Sequence, residues 1–144
     1  MNILLVEDNE GDVELTKRAF KRGNLSATLS VAHDGVEAIE YLSRQGRFSD
    51  AVRPDLVLLD LNMPRMGGHQ FLDIVKQDAK LKSIPVIVLT SSDAPKDIRE
   101  CYDRHANSYI LKPFDSNKFT DMIKQVEEFW VKLAELPDRR KRPA

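Results

Sequence analysis

The sequence predicts an α/β fold: a doubly wound, five-stranded parallel sheet with helices on both faces. Three observations lead there. Segments of strand character alternate with segments of helical periodicity, five times over 144 residues; that alternation is the pattern of strand–helix–strand crossovers in a parallel sheet. Two of the strands, Leu56-Val57-Leu58-Leu59 and Val86-Ile87-Val88-Leu89, are unbroken apolar runs preceded by Pro54 and Pro85, as expected of strands buried on both faces. Finally, the strand segments give way to polar or charged residues, which in an open parallel sheet gather at the edge where ligands bind.

Taken in order, Asn2 to Val6 reads as a first buried strand ending in Glu7-Asp8. A helix from Asp12 to Lys21 follows, with Val13, Ala19 and Phe20 turned inward and Gly23-Asn24 stopping it. Thr28 to Ala32 alternates in character, as a strand nearer the sheet edge should. Asp34-Gly35-Val36-Glu37 has the form of a capping box opening a helix through Leu42, and Gln45-Gly46 ends it. Arg47 to Pro54 is a charged connection without periodicity. After the strand that ends on Asp60, a loop with Met63-Pro64 and Gly67-Gly68 leads into a helix expected to bury Phe71, Leu72, Ile74 and Val75. The fourth strand ends on Thr90-Ser91-Ser92, and Asp93-Ala94-Pro95 has the cap-then-proline form of a helix start running to about Arg104. Ser108 to Leu111 is the fifth strand, ending on Lys112-Pro113, and the pattern is helical again from about Asn117. Right-handed crossovers restrict the strand order to a few choices.

The length suits one domain with a real core, expected over 1–136 and including an extended C-terminal helix, with 137–144 a basic flexible tail. A formal charge of -1 argues against nucleic acid as an obligatory partner. The single cysteine, Cys101, precludes an internal disulfide and suits a reducing, cytoplasmic location. The apolar run Ile3 to Val6 is too short for a signal peptide or a membrane span, so no membrane partner is expected.

The strand endings form a chemical set: Glu7-Asp8, Asp60, Thr90 and Lys112. Two carboxylates about 4 Å apart at an effective dielectric near 20 repel by roughly 4 kcal/mol, so the corner must take up a proton or a cation. Magnesium is the simplest cation, since it accepts one or two carboxylates, water and phosphate oxygens. Zinc would want His or Cys, and His33, His69 and His105 are scattered while Cys101 lies mid-helix. A hard-cation site beside a lysine and a hydroxyl is a place for a phosphoryl group, with Asp60 as its acceptor.

Val6-Glu7-Asp8-Asn9, Leu59-Asp60-Leu61-Asn62-Met63-Pro64, Leu89-Thr90 and Tyr109-Ile110-Leu111-Lys112-Pro113-Phe114 resemble, in order, the motifs of response-regulator receiver domains. The resemblance runs from Asn2 to about Phe129 and implies the flavodoxin-like strand order 2-1-3-4-5. It implies that Asp60 accepts a phosphoryl group from a phosphohistidine on a sensor histidine kinase. Asp8 and Asp60 side chains and the Asn62 backbone carbonyl would hold Mg2+, with Glu7 holding a metal-bound water. Lys112 would pair with the Asp60 carboxylate and then with a phosphoryl oxygen. Thr90 would hydrogen-bond the phosphoryl group, Tyr109 would move inward with it, and the Lys112-Pro113 peptide would be cis. The Arg47–Pro54 connection, Arg53-Pro54-Asp55, Leu61-Asn62 and the Glu127-Glu128-Phe129-Trp130 ending resemble more narrowly the single-domain regulators of phytochrome-type histidine kinases. Gly67 stands where many relatives carry an acid, which predicts a more mobile loop.

The stripe Val126, Phe129, Trp130, Leu133 has helical spacing. It either packs on the domain's own sheet or, with Trp130 and Leu133 at its distal end, buries itself in a second copy of the chain. The competing function is an aspartyl-nucleophile phosphohydrolase on a similar sheet. Such an enzyme places a second aspartate, a general acid, two residues after the nucleophile; here that position is Asn62.

Overall fold

The computed structural model describes residues 1–137. Its elements are β1 (Asn2–Val6), α1 (Glu10–Arg22), β2 (Thr28–Ala32), α2 (Gly35–Leu42), a 3₁₀ turn (Gly46–Phe48), β3 (Leu56–Leu59), α3 (Gly68–Gln77), β4 (Val86–Thr90), α4 (Pro95–Asp103), β5 (Ser108–Leu111), α5 (Ser116–Val126) and a π-helical segment (Glu127–Leu133). All strand pairs are parallel and the order is β2-β1-β3-β4-β5. The expected doubly wound sheet and its order are therefore present.

The period-2 geometry of strands sorts the core into two layers. Leu4, Val6, Val57, Leu59, Val86 and Val88 point to one face, where they meet Ala38 of α2, Phe71, Leu72 and Val75 of α3, and Cys101 of α4. Ile3, Leu5, Leu56, Leu58, Ile87 and Leu89 point to the other, against Val13 and Phe20 of α1 and Phe119 and Ile123 of α5. Because both faces are covered, every residue of β3 is fully buried, and an acid can enter only past the strand's end.

Several local expectations are revised. Helix α1 begins two residues earlier than predicted: Asn9 is its cap, and its side chain accepts from the Asp12 amide. Helix α4 is capped at Ala94, not Asp93, and no side chain caps it directly. Ile74 is exposed, because it lies about 200° around the helix from Leu72. The Lys112-Pro113 peptide is trans, since no cis bond occurs among the described residues. An X–Pro amide favours trans by about 0.5–1 kcal/mol unless packing opposes it.

The C-terminal stripe is also redistributed. From Glu127 the helix winds with i→i+5 bonds, the last from the Ala134 amide to the Phe129 carbonyl at 2.7 Å. That wider winding buries Val131 and brings Trp130 partly onto the α1/α5 layer. Phe129 and Leu133 are left 51 % and 73 % exposed. Of the expected tail, 138–144 lies outside the described residues.

Candidate phosphoryl-acceptor site

Three backbone bonds carry the sheet ladder one residue beyond the strand ends. The Glu7 amide donates to the Ala32 carbonyl (2.9 Å), Asp60 to Val6 (3.0 Å) and Lys112 to Thr90 (2.8 Å). Glu7, Asp60 and Lys112 are thus held on the rigid sheet, and Thr90 is the last residue of β4. Glu7, Asp60 and Thr90 are buried, while Asp8 is exposed at the mouth. One oxygen each from Glu7, Asp8 and Asp60 lie within 4.8 Å of one another.

The ammonium of Lys112, only 12 % exposed, sits among three carboxylates. It donates to Glu7 Oε1 in a short contact and to Asp12 Oδ2 at 2.9 Å, while Asp60 Oδ1 is 3.6 Å away. The expected Lys112–Asp60 pair is therefore an ion pair beyond hydrogen-bond length, and the lysine's direct partners are Glu7 and Asp12. Burial raises the pKa of Glu7 from 4.5 to about 7; the hydrogen bond from Lys112 opposes the shift and the charge of Asp60 adds to it. Burial works against the Lys112 ammonium too, yet the hydrogen bond and charge of Glu7, the charge of Asp60 and the hydrogen bond to Asp12 hold its pKa above the ordinary lysine value.

The donor set suits a hard divalent cation: clustered carboxylate oxygens, one of them open to water, with no sulfur or imidazole among them. Glu7, Asp8 and Asp60 are the carboxylates in reach of such an ion.

The loop after Asp60 is more tightly held than its two glycines suggest. A Cβ on Gly68 would lie 2.8 Å from Leu61 Cα and 2.9 Å from the Asp60 carbonyl, so only glycine permits this approach. Arg65, at φ 61°, forks onto Asp34 through Nε (2.7 Å) and Nη2 (3.1 Å). Asp34 caps α2 by accepting from the Glu37 amide at 2.8 Å. Burial pushes the Asp34 carboxyl up, but the hydrogen bond and charge of Arg65 and the backbone amides of Glu37 and Val36 together outweigh it, and the net pKa is lowered. The loop expected to be mobile is thus pinned to the start of α2.

On the other side, Thr90 and Tyr109 meet at Ser92. The Ser92 amide donates to Thr90 Oγ1 at 3.4 Å, and the Tyr109 hydroxyl donates to the Ser92 carbonyl at 2.7 Å. Ser92 Oγ reaches Asp97 Oδ2 at 2.6 Å, linking this loop to the first turn of α4. One histidine has a defined place nearby: His69 Nε2 lies 3.5 Å from Asp97 and 3.8 Å from Glu100, between α3 and α4.

Sequence reasoning missed Asp12, Arg65 and Asp34 as neighbours of this corner. For Asp12 a signal existed, since a helix leaving the end of β1 must carry its first turn past the same edge. For Arg65 and Asp34, 31 positions apart, there was none.

Comparison with known proteins follows the same lines. A family model described as response regulator receiver domain matches residues 3–124. The response regulator Rcp1 of Synechocystis sp. is 37% identical over 135 residues, which cover 94% of this chain and 92% of Rcp1. Among solved structures, the phosphorylated cyanobacterial phytochrome response regulator RcpA is 41% identical with a TM-score of 0.89, covering 94% of this chain and 97% of RcpA. The Mn2+-bound form of Rcp1 superposes with a TM-score of 0.87 at 37% identity, over 94% of this chain and 98% of that one.

Proposed function

We propose a function from one premise: the chain belongs to the response regulator receiver domain family. It is a response regulator of two-component signalling, and receiver domains bind a divalent metal. Our reading is that Asp60 is the phosphoryl acceptor. The observation that carries it is the buried Asp60 carboxylate flanked by Asp8 and Glu7 on one side and the Lys112 ammonium on the other.

In this reading an Asp60 oxygen forms the new P–O bond as the P–N bond to a kinase phosphohistidine breaks, and the electron pair stays with the imidazole. Phosphoryl transfer depends chiefly on positioning and charge neutralisation. Asp8, Asp60 and the Asn62 carbonyl would hold magnesium, with Glu7 holding a metal-bound water; when bound, the ion would neutralise charge on the phosphoryl oxygens. Lys112 binds a second oxygen and the Thr90 hydroxyl donates to a third. Drawing Thr90 inward pulls on Ser92, and Tyr109 follows because its hydroxyl is tied to the same residue. Asn62 stands where a hydrolase general acid would be needed, which favours a receiver over a phosphohydrolase. The chain assists its own phosphorylation and dephosphorylation only by this positioning.

The kinase is of the phytochrome type, by extension from RcpA, and the regulator works in the cytoplasm as one domain over 1–136, with 137–144 a basic tail. It signals through protein contacts. The exposed Phe129 and Leu133, with Trp130 beside them, serve as a homodimer contact. No helix among the described residues is long and apolar enough to cross a membrane. The test is phosphotransfer from a phytochrome-type kinase. The native chain should acquire acid-stable, base-labile phosphate and Asp60→Asn should acquire none; undiminished labelling of that variant refutes the assignment.

A further inference from the structure

We propose that Asp12 is a releasable anchor for Lys112, holding the lysine back from Asp60 until a phosphoryl group draws it across, and so setting how tightly the site takes that group. The proposal rests on the reading of Asp60 as acceptor. An ammonium has three donors. Two are engaged, by Glu7 and by Asp12 at 2.9 Å, and the Asp60 oxygen at 3.6 Å lies outside hydrogen-bond range. A third donor remains, but the two engaged bonds hold the ammonium 3.6 Å from the Asp60 oxygen, and drawing it into hydrogen-bond range of a group on Asp60 lengthens one of them.

Solvation decides which. The Glu7 side chain is 3 % exposed and that of Asp12 is 37 % exposed. If the lysine left Glu7, a carboxylate nearly closed to bulk solvent would lose its main partner, and that is costly. When the lysine leaves Asp12, water takes its place. Asp12 is also fixed as an anchor. Its amide donates to Asn9 Oδ1 at 2.9 Å and its carbonyl accepts from Thr16 Oγ1 at 2.8 Å, so the first turn of α1 does not follow the lysine. Asp12 is thus the exchangeable partner and Glu7 the permanent one.

The test is the affinity for beryllofluoride, a phosphoryl mimic, at saturating Mg2+, for the native chain, Asp12→Asn, Lys112→Ala and the double variant. Asn9 still caps α1 in Asp12→Asn, and asparagine is tolerated in a first helical turn, so folding is preserved. Freeing Lys112 should tighten binding about three- to tenfold in Asp12→Asn. Asp12→Glu, which restores a carboxylate, should return it toward the native value. In the Lys112→Ala background the Asp12→Asn effect should vanish, since a double-mutant cycle isolates the pairwise contribution. Equal tightening in both backgrounds would mean a general charge effect and overturn the proposal, as would unchanged or weaker binding in Asp12→Asn. Absence of beryllofluoride binding by the native chain would instead overturn the reading of Asp60 on which the proposal rests.

Discussion

Glu7 is the residue whose chemistry is furthest from ordinary. Its pKa lies near 7, raised from 4.5 by burial, so the folded chain holds a proton there that the unfolded chain has released. Between those two values folding takes up a proton, and stability falls as pH rises. The contribution is intact below the unfolded pKa and lost as pH passes the folded one. Metal-free protein should therefore lose stability from pH 4.5 to 7, and Glu7→Gln should flatten that slope in thermal melts. A divalent cation should also flatten it, because positive charge favours ionised Glu7. Lys112→Ala carries a different expectation: it leaves Glu7 buried without its cation, and so raises the Glu7 pKa further. Titration of Glu7 by NMR in that variant checks the sign. The clustering of Asp60 with Glu7, Asp8 and Lys112 was legible from the chain, because all of them follow strand ends that a parallel sheet gathers at one edge; an aspartate after a strand, taken alone, reads as a cap or turn former. The bond from Lys112 to Asp12 was not read, although the first turn of α1 passes the same edge, because the two residues lie 100 positions apart and only the folded edge brings them together.

Among elements, the loop from Asp60 to α3 and the segment after α5 decide most. The loop's geometry demands glycine at Gly68, where a Cβ would press on backbone atoms that cannot yield. Gly68→Ala should cost about 1–3 kcal/mol, read from denaturant midpoints at unchanged m, and should weaken metal binding more than an equally destabilising change in α5. Arg65 is the loop's tie to α2. Arg65→Gly keeps the φ of 61° free of strain yet removes the fork onto Asp34. Because Arg65 is exposed, its loss should change global stability little, while amide exchange across the loop accelerates. Helix periodicity located α5 to within a residue, at about Asn117 against an observed start at Ser116, but did not show its cap, Asp115. It failed beyond Glu127 because the stripe was counted at 3.6 residues per turn, and the winding there is i→i+5. That change turns Trp130 toward the chain's own core and Phe129 and Leu133 outward. Likewise the trans Lys112-Pro113 bond contradicted an expectation that came from family resemblance and from nothing in the local residues.

For the whole molecule, the five strand–helix units and their alternating faces were readable because every strand's buried pattern agrees with its place in the sheet. Central strands are solid runs and edge strands are mixed. The exposed Phe129 and Leu133 predict self-association: sedimentation should show a concentration-dependent dimer that Phe129→Ala with Leu133→Ala weakens, and a strict monomer at every concentration would end that idea. The central claim is that the sheet edge concentrates its chemistry on one carboxylate. Its most direct measurement is chemical mapping of the phosphorylated chain: borohydride reduces an acyl phosphate to the corresponding alcohol, and peptide sequencing then locates it. The account predicts reduction at Asp60 alone. Reduction at Asp8 or Asp12 with Asp60 intact would contradict it.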